Sequence, residues 1–131
     1  MLRAKTTTAR FKSSAKELHD FIGNVENLPK WATIFCQDLR KEDGDFIVTT
    51  PGGDMFFKIS NDDVTGVADM WGGPSKDMMM RWPVRVVDDG LGGSVLMFTN
   101  IQTEDQPDEV FDGLCKALED EFDNIRKYVE N

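Results

Sequence analysis

Asp108–Val129 reads DEVFDGLCKALEDEFDNIRKYV, and its spacing decides how the rest of the chain must be organised. Apolar residues recur at Phe111, Leu114, Leu118, Phe122, Ile125 and Val129, a rhythm that stacks them on one face of a helix. Glu119, Asp120, Asp123, Arg126 and Lys127 fall on the opposite face. The segment is a long amphipathic helix with a single apolar stripe, and the residues upstream have to supply the surface that covers it.

Upstream, the period changes from helical to alternating. Residues 35–41, 45–50, 54–60, 64–71, 78–87 and 94–104 read as strands separated by turn chemistry: Glu42-Asp43-Gly44, Pro51-Gly52-Gly53, Asn61-Asp62-Asp63, Gly72-Gly73-Pro74, and Asp88-Asp89-Gly90 with Gly92-Gly93. Such short connections fit an antiparallel meander, because a parallel crossover needs a dozen or more residues. Further upstream, the Thr-rich stretch 3–12 reads as a first strand. Ser14 and Glu17 then form a capping box that opens a short helix over Leu18, Phe21 and Ile22, stopped by Gly23 and Asn24. A second short helical piece, 25–32, contains Pro29 and ends with Trp31.

The order is strand, two short helices, strands, long helix. It predicts an α+β domain spanning residues 1–131, in which a curved antiparallel sheet wraps the C-terminal helix. A chain of 131 residues can bury one sizeable core, and 40% apolar with 30% charged residues is a globular composition.

Charge and cysteine content exclude several functions. A net charge of -9 with no Lys/Arg-rich segment argues against nucleic acid and anionic membrane surfaces, which attract basic clusters. No apolar run is long enough to span a bilayer, and MLRAKTTTAR has no apolar core of signal-peptide type, so a cytoplasmic location is expected. Cys36 and Cys115 are the two cysteines, far apart and outside any CxxC pattern. With one histidine in the chain, a Cys/His metal site is not expected, and no cofactor motif is present. The glycine clusters sit between strands rather than before a helix, so they read as turns, not phosphate cradles.

The stretch SSAKELHDFIGNVENLPKWA, in which Asn27, Pro29 and Trp31 form an n-x-P-x-W turn, together with VTGVADMWGGP and the overall element order, resembles the START-like helix-grip superfamily, SRPBCC. This superfamily includes lipid-transfer domains, birch-pollen-allergen proteins and polyketide cyclase/dehydrase-like proteins. The resemblance implies a cavity between sheet and long helix that holds a small hydrophobic or amphipathic molecule, with Trp31 on its wall. It carries over no catalytic residue.

Alternation names further walls. In KDMMMRWPVRV, 76–86, Met78, Met80, Trp82, Val84 and Val86 share the inward face, opposite Met79, Arg81 and Arg85. Met55 and Phe57 share a face of the strand at 54–60, opposite Phe56. Along 64–71, Val64, Gly66, Ala68 and Met70 oppose Asp69 and Trp71, and Phe98 marks the inward side of 94–104. Leu114 and Leu118 complete the wall from the helix. Methionine adapts to varied apolar shapes, so this set serves equally as packed core and as pocket wall.

Polar groups that could reach the cavity are Arg81, Arg85, Asp69 and Tyr128. A bulge near Pro83 would be needed to turn either arginine inward. His19 lies one step off the apolar face of its helix and reads as a surface or edge residue. The acid pairs Asp62-Asp63 and Asp88-Asp89 belong to turns, and Glu119-Asp120-Glu121 is assigned to the solvated side of the long helix. Three functions are consistent with this pattern. The first is binding of a small apolar molecule. The second is cyclase/dehydrase-type catalysis, which requires an inward acid, Tyr or Arg. The third is a protein-interaction module or homodimer docking through exposed Phe56, Trp71 and Met79.

Overall fold

A computed structural model describes residues 2–130. The chain runs β1 (Ala4–Phe11), α1 (Ala15–Ile22), a 3-10 turn (Val25–Asn27), α2 (Leu28–Trp31), β2 (Asp38–Glu42), β3 (Asp45–Thr50), β4 (Gly53–Asp62), β5 (Val67–Ser75), β6 (Met78–Trp82), β7 (Val84–Asp88), β8 (Ser94–Ile101) and α3 (Asp108–Val129). The sheet order is β1-β8-β7-β5-β4-β3-β2, with β6 also paired to β5. Every pairing is antiparallel. The curved sheet and α3 form the helix-grip α+β architecture that the sequence predicts.

Local chemistry sets the element ends. Ser14 Oγ accepts the Glu17 N–H at 3.1 Å and caps α1. The inward face of β8 is Ser94, Leu96, Phe98 and Asn100, all buried. Against it lie Phe111, Leu118, Phe122 and Ile125 of α3, each at most 5% exposed. Phe98 and Phe122 meet with ring centroids 6.4 Å apart.

The structure corrects several boundaries. The strand expected at 78–87 is two strands, because Pro83 has no N–H to give the ladder. The next N–H, that of Val84, is taken by Asp69 Oδ1 at 2.9 Å. The strand expected at 64–71 starts at Val67 instead. The Gly66 N–H bonds the Asp62 carbonyl at 2.9 Å and the turn continues to Gly66, whose φ of +79° suits glycine. Val64 therefore projects into solvent at 93% exposure rather than inward. Gly72-Gly73-Pro74 is not the end of a strand but part of β5, with a bulge between Gly72 and Ser75.

Phe35 is not in a strand either. The Cys36 N–H returns to the Ala32 carbonyl, and the Ile34 and Phe35 N–H groups go to a side chain of α3, so none is free for a ladder. The chain after α2 thus forms a loop folded against the long helix.

Candidate functional site

Between the inward face of the sheet, the loop after α2 and the first half of α3 lies a cavity of about 320 Å³. Trp31, Met55, Phe57, Met70, Met80, Trp82, Phe98, Leu114 and Leu118 line it, all of them on the predicted wall. Met78 does not. It pairs with Ser75 beyond the bulge in β5, where the strand pair has run past the edge of the cavity, and it is 67% exposed.

The aromatic side of the wall is a cluster. Phe35 meets Trp82 edge-on with centroids 5.7 Å apart and tilts against Phe57 at 6.0 Å. Gly72 sits beneath them on β5. A Cβ there would lie 2.8 Å from Met55 Sδ and 3.0 Å from Trp82 Cζ3, so its missing side chain is what admits both. At the rim, Ile34, Met80, Val110 and Leu114 are large apolar residues that remain exposed.

One ionisable side chain stands among these walls, and the sequence reading placed it in solvent. Glu121 is 3% exposed and lines the cavity. Its Oε2 accepts the N–H groups of Phe35 at 3.1 Å and Ile34 at 3.2 Å. Burial pushes its carboxyl up to about 7, opposed by those two N–H bonds and reinforced by the charge of Asp120. The signal was available: Glu121 follows Leu118 by one helical step and precedes Phe122, inside the apolar stripe rather than opposite it. A run of three acids masked it.

Of the residues that line the cavity, Trp31 Nε1 has no hydrogen-bond partner among the described residues and the Asn100 amide lies beside the Cys115 thiol; both nitrogens are buried and neither opens into the cavity. Asn100 shares the inward face of β8 with Phe98. Behind it lies the Cys115 thiol, raised by burial, while burial raises Cys36 to about 11. Neither thiol is poised as a nucleophile.

The four polar groups singled out from sequence are elsewhere. Arg81 and Asp69 bond each other on the outer face of the sheet, with Arg81 Nε and NH2 donating to Asp69 Oδ2 at 3.0 and 2.6 Å. Arg85 points out to the Thr65 carbonyl at 3.3 Å. Tyr128 stacks on Phe21 with centroids 5.3 Å apart and is 48% exposed. The bulge that could have turned an arginine inward is in β5, not at Pro83, and alternation through β6 and β7 stays in phase.

His19 is buried, contrary to the sequence reading, because β5 and the turn before it close over α1. Its Nε2 lies 2.9 Å from the Val67 carbonyl, which can only accept, so that nitrogen carries the proton. Its Nδ1 faces Asp63 Oδ1 at 3.5 Å. His19, Asp20 and Asp63 bring metal-ligand atoms within 4.8 Å of one another, but Lys16 already holds Asp20 at 2.7 Å. On the outer face, Phe56, Trp71 and Met79 are half-buried rather than fully exposed, with Lys58 and Arg81 lying over the Trp71 ring. No helix among the described residues is long and apolar enough to cross a membrane.

No family model matches the sequence, and no curated protein does. Similarity is found at the level of structure. An uncharacterised protein from Bacillus thuringiensis superposes with a TM-score of 0.74 at 12% identity, over 98% of this chain and 100% of the other. A START superfamily protein from Mycobacterium smegmatis gives 0.64 at 13% identity, over 97% of each chain. Ara h 8.0201 gives 0.65 at 17% identity, over 98% of each. These likenesses show the fold: the chain has a START-like helix-grip architecture.

Proposed function

We propose that residues 1–131 act as one helix-grip domain that binds a small apolar or amphipathic molecule between the sheet and α3. The observation that carries this reading is a cavity of about 320 Å³ with apolar and aromatic walls and a few convergent polar groups, the usual composition of a small-molecule site. Burial of ligand surface against Met55, Met70, Met80, Phe57 and Trp82 would drive affinity, and the Glu121 carboxyl would orient the molecule. The exposed rim residues Ile34, Met80, Val110 and Leu114 support an entry at this end. Buried unpaired Cys36 and Cys115 are in keeping with a reducing, cytoplasmic setting. The test is a thermal-shift screen of delipidated protein against sterols, flavonoids, fatty acids and aromatic ketones, followed by calorimetry. A one-to-one saturable hit that raises Tm is expected. No shift with any compound overturns the reading.

Glu121 favours a second reading, catalysis by proton transfer in the cavity. A carboxyl that titrates near 7 inside an apolar site is suited to general acid–base work. Under this reading a bound hit is converted on incubation, as mass spectrometry would detect, and Glu121→Gln abolishes the conversion while leaving binding in place. Unchanged hits would leave binding alone.

A further inference from the structure

Resting on the cavity reading above, we infer that the cavity selects its ligand by charge: it takes a neutral head group that offers a hydrogen-bond donor, and it excludes carboxylates. The wall has no cation. Its residues from α2, β3, β4, β5, β6, β8 and the adjoining loops include no Lys, Arg or His, and Glu121 is the only ionisable group. An anionic head group entering this space would meet a carboxylate with nothing to offset either charge. Two carboxyls sharing a desolvated site cannot both stay ionised, so one would have to take up a proton on binding.

The same carboxyl specifies the complementary chemistry. Glu121 commits Oε2 to both loop N–H groups, and no hydrogen bond to Oε1 is found among the described residues. That oxygen is available to a ligand O–H or N–H. The titratable neighbours of Glu121 are Asp120 on its own helix and Cys36 on the facing loop, and neither adds positive charge.

Matched ten-carbon probes separate this inference from the cavity reading. Calorimetry at pH 8 with decanamide, decan-1-ol and decanoate should show the amide and alcohol binding at least tenfold more tightly than decanoate. Repeating the decanoate titration in buffers of different ionisation enthalpy should show uptake of about one proton per ligand bound. Glu121→Gln should bring decanoate to within a few-fold of the amide. Decanoate binding as tightly as decanamide at pH 8, or without proton uptake, overturns the charge selection and leaves the cavity reading intact. If none of the three binds, the cavity reading itself falls. The proton-uptake measurement uses the unaltered protein, so the inference is decided even if Glu121→Gln fails to fold.

Discussion

Glu121 and Phe35 are joined across the cavity: the Glu121 carboxylate accepts the Phe35 N–H at 3.1 Å, while the Phe35 ring lies edge-on to Trp82 with centroids 5.7 Å apart. One ionisable group on α3 thereby holds the loop that carries one aromatic wall. Charge, loop position and cavity shape are coupled through this pair.

The coupling has a pH dependence whose sign is fixed. Burial raises the folded-state value of Glu121 to about 7 from the usual carboxylate value of 4.5. Between those values the folded protein binds more protons than the unfolded chain, so this group's effect on stability becomes more unfavourable as pH rises through the window. Above it the full penalty applies, at most about 3 kcal/mol for a shift of this size. Glu121→Gln keeps an oxygen to accept the loop N–H groups and removes the charge. Denaturant unfolding from pH 5 to 8 should show the variant gaining on the parent with rising pH, by about 1–3 kcal/mol at pH 8. Parallel curves for the two proteins would place the carboxyl's titration outside this window.

Trp82 is half-buried and contributes to the wall more than to the packed interior. Trp82→Ala should cost about 1–2 kcal/mol in stability, less than the roughly 3–5 kcal/mol typical of a fully buried aromatic. Affinity for any cavity ligand should fall tenfold or more. Calorimetry and thermal unfolding on the same sample compare the two effects, and loss of stability alone would assign Trp82 to the core.

Gly72 leaves the space that Met55 and Trp82 fill. In Gly72→Ala the Met55 thioether end can swing away, but Trp82 is wedged against Phe35 and Phe57. Overpacking of this kind costs about 1–3 kcal/mol. The displaced indole should narrow the cavity and lower ligand affinity several-fold, which competition with a fluorescent apolar probe would measure. An unaltered affinity would place the ligand away from this wall.

Asp69 supports β6 and β7 where Pro83 interrupts the ladder. Asp69→Ala leaves the buried Val84 N–H without its acceptor and should cost about 1–3 kcal/mol. Arg81→Ala removes only the half-exposed partner of the pair and should cost about 1 kcal/mol or less. Neither change should alter ligand affinity, because both side chains lie on the outer face. Chemical denaturation ranks the two costs, and a larger loss from Arg81 would show that the ion pair dominates over the backbone bond.

What the sequence determined by itself was whatever periodicity encodes. The stripe from Phe111 to Val129 predicted α3 as Asp108–Val129, its observed span, because a helix repeats its apolar face every three to four residues. Alternation in 54–60 and 78–86 put Met55, Phe57, Met80 and Trp82 on the inward face, since a strand without a bulge keeps its phase. Local rules fail where a partner distant in sequence decides. Phe35 was expected in a strand, and it leaves the ladder because a carboxylate 86 residues away takes its N–H. Met78 lost its place on the wall to a bulge in the neighbouring strand. Glu121 looked like one acid in a solvated run until the loop after α2 folded over it. Its burial, its raised pKa and its place in the cavity are properties of a space enclosed by three separate parts of the chain, and only the tertiary structure creates that space.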